Sequence, residues 1–150
     1  MKAKLYFQQV ATAEKELKMI RAQIRHYEDL GYSISGCSSE GLRGPKSGRN
    51  ASKVELSAIG IADATETLRS REKAYAEIIL KAQALISKIQ QEKYRQILTY
   101  RYLCGWSFRS ISDELEYKDQ RSIYRAHGWA LREAQKILNR TQQKGGQPDG

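Results

Sequence analysis

From residue 3 to about residue 30, apolar or small side chains recur at Tyr6, Val10, Ala13, Leu17, Ile20, Ile24 and Tyr27. The spacing alternates four and three, the a/d seam of a heptad helix, with Lys15, Lys18, Arg21 and Arg25 on other faces. Gly31 is placed to stop that helix. A second seam runs through Val54, Ala58, Ile61, Thr65, Leu68, Glu72, Tyr75, Ile79, Ala82, Ile86 and Ile89, and predicts a helix over residues 53–90. Thr65 and Glu72 interrupt it; polar seam residues lower stability and can fix register or partner. At 1.5 Å per residue the second helix spans about 57 Å and the first about 42 Å. An antiparallel pairing therefore leaves part of the longer stripe uncovered. Self-association is one way to cover it, and packing on the C-terminal residues is the other.

Between the two helices, residues 31–52 hold five of the eleven Gly, one of the two Pro and six Ser. That composition predicts a loop of about twenty residues, long enough to be functional or disordered. Its GLRGPKSG piece is no phosphate loop: the motif needs Gly where Pro45 stands, and no strand precedes it.

Beyond residue 91 the heptad spacing gives way to shorter pieces. Residues 92–105 predict a helix with Ile97, Leu98, Tyr102 and Leu103 inward, ended by Gly105. Ser107 is placed to cap a second helix with Phe108, Ile111 and Leu115 on one side. After a joint at residues 116–119, Asp119 caps a third helix from Gln120 to about Asn139. Ile123, Ala126 or His127, Ala130, Ala134 and Ile137 recur along it at helical spacing. Two helices joined by a tight turn, the second longer and cationic, form the helix-turn-helix pattern. Ser112 supplies the small side chain where such helices cross, with Ile111, Leu115, Tyr117 and Ile123 locking the pair. Residues 141–150 predict a frayed, disordered tail.

Charge sharpens this picture. The chain carries 26 Lys or Arg against 17 Asp or Glu, a formal +9, which suits a polyanionic partner. The excess is +4 over residues 1–52, +1 over 53–91 and +4 over 92–150, so the long middle helix is nearly neutral. In the C-terminal segment the excess rests largely on a few Arg. Gln120, Arg121, Ser122, Tyr124 and Arg125 stand where a recognition helix meets base edges, with Gly128 outward beside them. Arg offers bidentate donors to guanine, and Gln can pair with adenine. Arg109 and Lys118 flank that face where phosphates would run, and Arg101 and Arg132 lie at its margins. A solvated cationic corner is the plain alternative.

The stretch ILTYRYLCGWSFRSISDELEYKDQRSIYRAHGWALREAQKIL, residues 97–138, resembles region 4 of sigma-70-type transcription factors. The matching positions are Leu98, Arg101, Tyr102, Leu103, Gly105, Ser107, Ile111, Ser112, Leu115, Ser122-Ile123 and Ala130-Leu131. With the preceding helices and the Gly-rich loop, most of the chain is similar to a narrower group, the ArpU/RinA-type late transcriptional regulators of phages and prophages. The resemblance implies a regulator that binds double-stranded DNA and contacts bacterial RNA polymerase. Three positions depart from the family pattern: Ser112 replaces Ala, Glu116 replaces Gly, and Lys118 replaces Ser. The span from Ile111 to Ile123 is also one residue longer than usual. Glu116 then either faces phosphate with an opposing charge or occupies a turn that no longer needs left-handed backbone.

Other chemistry is thin. His26 and His127 fall on different elements, and His127 shares a stripe with Ile123 and Ala130, the place of a half-buried core histidine rather than a base. Cys37 and Cys104 have no CxxC neighbour, and no ligand set shows metal spacing. Asp113 and Glu114 are adjacent on a helix and face apart. Trp106 and Trp129 are placed to close the core. No cofactor is expected, and the chain reads as a non-enzyme. The first residues lack a signal peptide's apolar run, which points to the cytoplasm of a bacterial host.

The fold expected is all-α. A long antiparallel coiled-coil hairpin occupies residues 1–91, with its loop at 31–52, and a helix-turn-helix domain occupies 92–140. The function expected is sequence-specific transcription regulation by a homodimer joined through the hairpin. Two rivals remain: a small-terminase-like packaging protein, and a polymerase- or sigma-binding module that never touches DNA.

Overall fold

The computed structural model describes residues 1–36 and 48–146, with side chains at 1–32 and 58–146. Among them every regular element is helical, and there is no strand. In chain order these are α1 (Ala3–Gly36), α2 (Gly48–Ser87), α3 (Glu92–Leu98), a π-helical segment (Thr99–Leu103), α4 (Phe108–Glu114) and α5 (Gln120–Lys144). No helix among the described residues is long and apolar enough to cross a membrane.

Several boundaries differ from those the sequence predicts. α1 continues through Gly31 to Gly36, and α2 begins at Gly48 rather than near residue 53. A glycine inside a helix costs about 1 kcal/mol against alanine, too little to end one whose following residues are helix-compatible. Of the loop expected at 31–52, residues 37–47 lie outside the described residues, as does the side chain of Val54. α5 runs five residues past Asn139 to Lys144, so residues 141–144 of the expected tail are helical; residues 147–150 lie outside the described set.

Contacts divide the chain into two compact units, one of residues 1–15 with 76–150, the other of residues 16–75. The boundary expected near residue 91 thus falls within the first unit.

In the residue 16–75 unit, Ile20, Ile24 and Leu68 are buried together, flanked by Tyr27 and Tyr75. The polar seam residue Glu72 accepts from Arg21 Nε at 3.0 Å, and Glu28 pairs with Arg69. The other polar seam residue, Thr65, turns its hydroxyl to the Ile61 carbonyl at 2.8 Å. Ala58, expected in the seam, is exposed.

The larger unit has a two-part core. Ala3 and Phe7 of α1 and Leu85, Ile86 and Ile89 of α2 pack with Leu98, Tyr102, Ala130 and Ala134. Beside them Ile97, Ile111, Ile123 and Ala126 form a second cluster, edged by Tyr100, Trp106, Phe108, Leu115 and Tyr117. Phe7, Ile97, Leu98, Ile111 and Ile123 are fully buried, each contributing about 1.5–3 kcal/mol from transfer alone. Phe7, not Tyr6, fills the position one turn before Val10; its ring stacks on Tyr102 at 5.1 Å, while Tyr6 stays half-buried. The start of α1 is also tied to α5 by polar bonds. The Ala3 N–H donates to Gln135 Oε1 at 2.6 Å, and Gln135 Nε2 donates to the Met1 carbonyl at 3.1 Å.

The helix predicted over 92–105 widens after Leu98. The Cys104 N–H reaches back five residues to the Thr99 carbonyl at 3.0 Å, and the Trp106 N–H bonds the Tyr100 carbonyl at 2.9 Å. Gly105, with φ +73°, supplies the left-handed residue that ends the element.

Candidate nucleic-acid interface

The connection from α4 to α5 sets the geometry of the cationic face. Ser107 accepts from the Ser110 N–H at 3.2 Å and caps α4. At the other end of α4, the Tyr117 N–H bonds the Ser112 carbonyl at 2.9 Å and the Glu116 N–H bonds the Asp113 carbonyl at 3.4 Å. This paired closure is a Schellman cap, whose left-handed residue is Glu116 at φ +57°. The longer turn therefore keeps the left-handed position that glycine fills in the sigma-type pattern, and Glu116 occupies it at the cost a Cβ brings there. Of the two readings of Glu116, the one in which the turn no longer needs left-handed backbone is excluded. Ser112 is 6 % exposed, small enough for α5 to lie close, and its hydroxyl turns towards the Tyr117 carbonyl.

Asp119 starts α5. Its carboxylate accepts from the Ser122 N–H at 2.7 Å. Hydrogen bonds from Ser122, and after them the field of Arg125, hold this carboxyl below the ordinary aspartate range. With both ends of the connection hydrogen-bonded, the first turns of α5 are fixed relative to α4.

Of the residues expected at the face, Arg109, Lys118, Gln120, Arg121, Tyr124 and Arg125 are exposed. Ser122 is half-buried, and its N–H is spent on the cap. Among the described residues, Arg109, Lys118, Arg121 and Arg125 form no ion pair with a carboxylate. Tyr124 is 53 % exposed and rests on the Phe108 ring, centroids 4.7 Å apart. The structure brings Gln120, Arg121, Tyr124 and Arg125 onto the first two turns of one rigid helix.

Arg101 takes a different place. Its Nη1 donates to the Trp106 carbonyl at 3.0 Å and its guanidinium lies 4.3 Å from the Phe108 ring centroid. These contacts brace the edge of the core around Trp106 and Phe108. Phe108 thus carries Arg101 on one contact, Tyr124 on another and His127 edge-on at 4.9 Å. Arg132, by contrast, is exposed and unpaired among the described residues.

The two tryptophans part company. Trp106 stacks on Tyr100 at 4.4 Å and closes the core edge as expected. Trp129 does not: it is 46 % exposed, because it falls on the flank of α5 turned away from Ile123 and Ala130. It borders a cleft of about 310 Å³ with Tyr94, Tyr117, Lys93 and Arg125. Lys93 and Tyr94 escaped the sequence reading; Lys93 Nζ lies 5.8 Å from the Tyr117 ring centroid. A cation at the first turn of α3 has no sequence signal that places it beside the α4–α5 connection.

His127 is half-buried, and Tyr102 Oη lies 2.9 Å from its Nε2. Burial, then the charges of Arg101 and Lys4, push its pKa down to about 4, while burial raises that of Tyr102. The ring is therefore neutral near pH 7, and it shares one hydrogen bond with the phenol. Cys104 is exposed and unpaired in any disulfide. Among the described residues no cluster of His, Cys, Asp and Glu could hold a metal.

Comparison of the chain with protein-family models, characterised proteins and solved structures finds no match.

Proposed function

We propose that the chain is a sequence-specific, double-stranded-DNA-binding transcription regulator of phage or prophage genes, working in the bacterial cytoplasm. In this reading α4 and α5 act as a helix-turn-helix, with the start of α5 in the major groove. The observation that carries it is the pair Arg121 and Arg125, exposed one turn apart and in no ion pair among the described residues, on a helix whose N-terminus is fixed by Asp119. Unpaired guanidinium groups held on a rigid helix suit bidentate donation to guanine, and Gln120 beside them suits adenine. Lys118, Arg109 and Lys93 supply the surrounding positive field for phosphates. The resemblance of residues 97–138 to sigma region 4 supports the same use and adds contact with bacterial RNA polymerase. The heptad pairing of α1 with α2 acts as a coiled-coil hairpin through which two copies associate.

The test is duplex binding across a salt series. Retention at low salt, falling steeply and log-linearly as salt rises, fits the reading. No retention of any duplex at low salt ends it.

The exposure of Trp129 beside Tyr94 favours one further reading, a head that binds a protein. That reading expects an interaction little changed by salt and abolished by Trp129→Ala.

A further inference from the structure

α5 carries six Lys or Arg and a single acidic residue, Glu133, whose carboxylate is held by Lys136 at 2.7 Å. Arg121, Arg125, Gly128 and Arg132 follow one another at spacings of four, three and four, and so form a single solvent-facing stripe. Gly128 is the anomaly in it. The residue lies inside a regular helix, where glycine is the poorest ordinary choice. A Cβ built there meets nothing within 4 Å, so no neighbour requires its absence, and its φ is not the positive value that favours glycine. Gly31 and Gly60 are open in the same way. Gly128 differs in lying one turn from an exposed arginine on either side, each in no ion pair among the described residues.

We infer that Gly128 forms a notch where one sugar–phosphate strand of duplex DNA crosses α5, held from the C-terminal side by Arg132 while Arg125 reaches a base edge. Arg132 lies seven residues beyond Arg125, a rise of about 10 Å, so its long side chain can meet the strand that crosses at Gly128 while Arg125 lies over the bases. Leaving out the side chain between them lets the strand approach the helix backbone, where a methyl or larger group would hold it off. The stripe bears no carboxylate, which favours a polyanion over a mixed-charge protein surface. Arg132 thereby joins the interface as a phosphate contact, at a position beyond the base-reading turns. This inference rests on the nucleic-acid reading and deepens it.

Affinity for mixed-sequence duplex DNA, together with melting temperature, separates the possibilities. Gly128→Ala should melt higher than the parent protein, since alanine is the better helix former, and yet bind the duplex more weakly. Gly128→Leu should remain folded by circular dichroism and lose roughly tenfold or more in affinity, as expected of a bulky group forced into a close contact. Gln142→Leu, an equally bulky change at an exposed site late in the same helix, should bind as the parent does. Arg132→Ala should reduce the salt slope by about 0.9, one phosphate contact. If Gly128→Leu keeps the parent affinity, the notch is refuted while the nucleic-acid reading stands. If the parent protein retains no duplex, both fall. Equal losses on polyglutamate and on DNA would assign the notch to an acidic protein and overturn the strand crossing.

Discussion

The Tyr102 hydroxyl and His127 Nε2 meet at 2.9 Å, joining the π-helical segment to the middle of α5 beneath the cationic face. Arg101 and Lys4 add positive potential around the imidazole, so the pair holds together with the ring uncharged.

Acid should therefore loosen this unit. The folded pKa of His127, about 4, lies below its ordinary 6.5. Its contribution is complete above pH 6.5 and is lost as pH falls from 6.5 towards 4, because the unfolded chain takes up the proton first. Partial solvent contact of the ring limits the loss to about 2 kcal/mol. Urea midpoints at pH 7 and pH 4.5 should differ accordingly, and His127→Leu should flatten that difference. A parent protein equally stable at both values would contradict the pairing.

Glu116 holds a left-handed backbone that glycine adopts freely. Glu116→Gly should stabilise the protein by about 1 kcal/mol, and Glu116→Val should destabilise it by a comparable amount. Thermal denaturation of the three proteins checks both signs. Loss of stability in the glycine variant would mean that the side chain of Glu116 outweighs its backbone strain.

Phe7 is wholly buried and stacked on Tyr102. Phe7→Ala should cost about 3–5 kcal/mol, against a small fraction of that for Leu5→Ala, whose side chain is exposed. Since Phe7 shares a core cluster with Ala130 and Ala134 of α5, its loss should also speed hydrogen exchange in α5. Protection of α5 unchanged by Phe7→Ala would contradict a shared core.

Much of this fold is legible in the order of residues, for reasons that differ by element. Ser107 and Asp119 are read correctly as caps because capping is local: an oxygen and an N–H three residues on suffice. Ile97, Ile111, Ile123 and Ala130 are read correctly because burial at helical spacing leaves a periodic trace. Phe7 is missed because Tyr6 and Phe7 both fit the seam, and only the distant Tyr102 ring decides between them. The end of α1 is missed because Gly31 permits a stop without enforcing one. The face itself divides likewise. The exposure of Arg121 and Arg125 follows from their place opposite Ile123 and Ala126, whereas the inward turn of Arg101 depends on Phe108 and Trp106, which its own neighbours do not foretell.

Lys118 is exposed at the α4–α5 connection and unpaired among the described residues. Lys118→Ala should weaken binding to every duplex to the same degree and lower the salt slope by about 0.9. A loss confined to one sequence would make it a base contact instead.

Competition binding of the Arg121→Ala and Arg125→Ala proteins, on a duplex selected from random sequence and on unselected duplex, tests most directly whether α5 reads bases. Each substitution should cost about 1–3 kcal/mol on the selected duplex and leave the weak binding to unselected duplex nearly unchanged. Equal losses on both would reduce the two arginines to phosphate contacts and contradict base recognition by this helix.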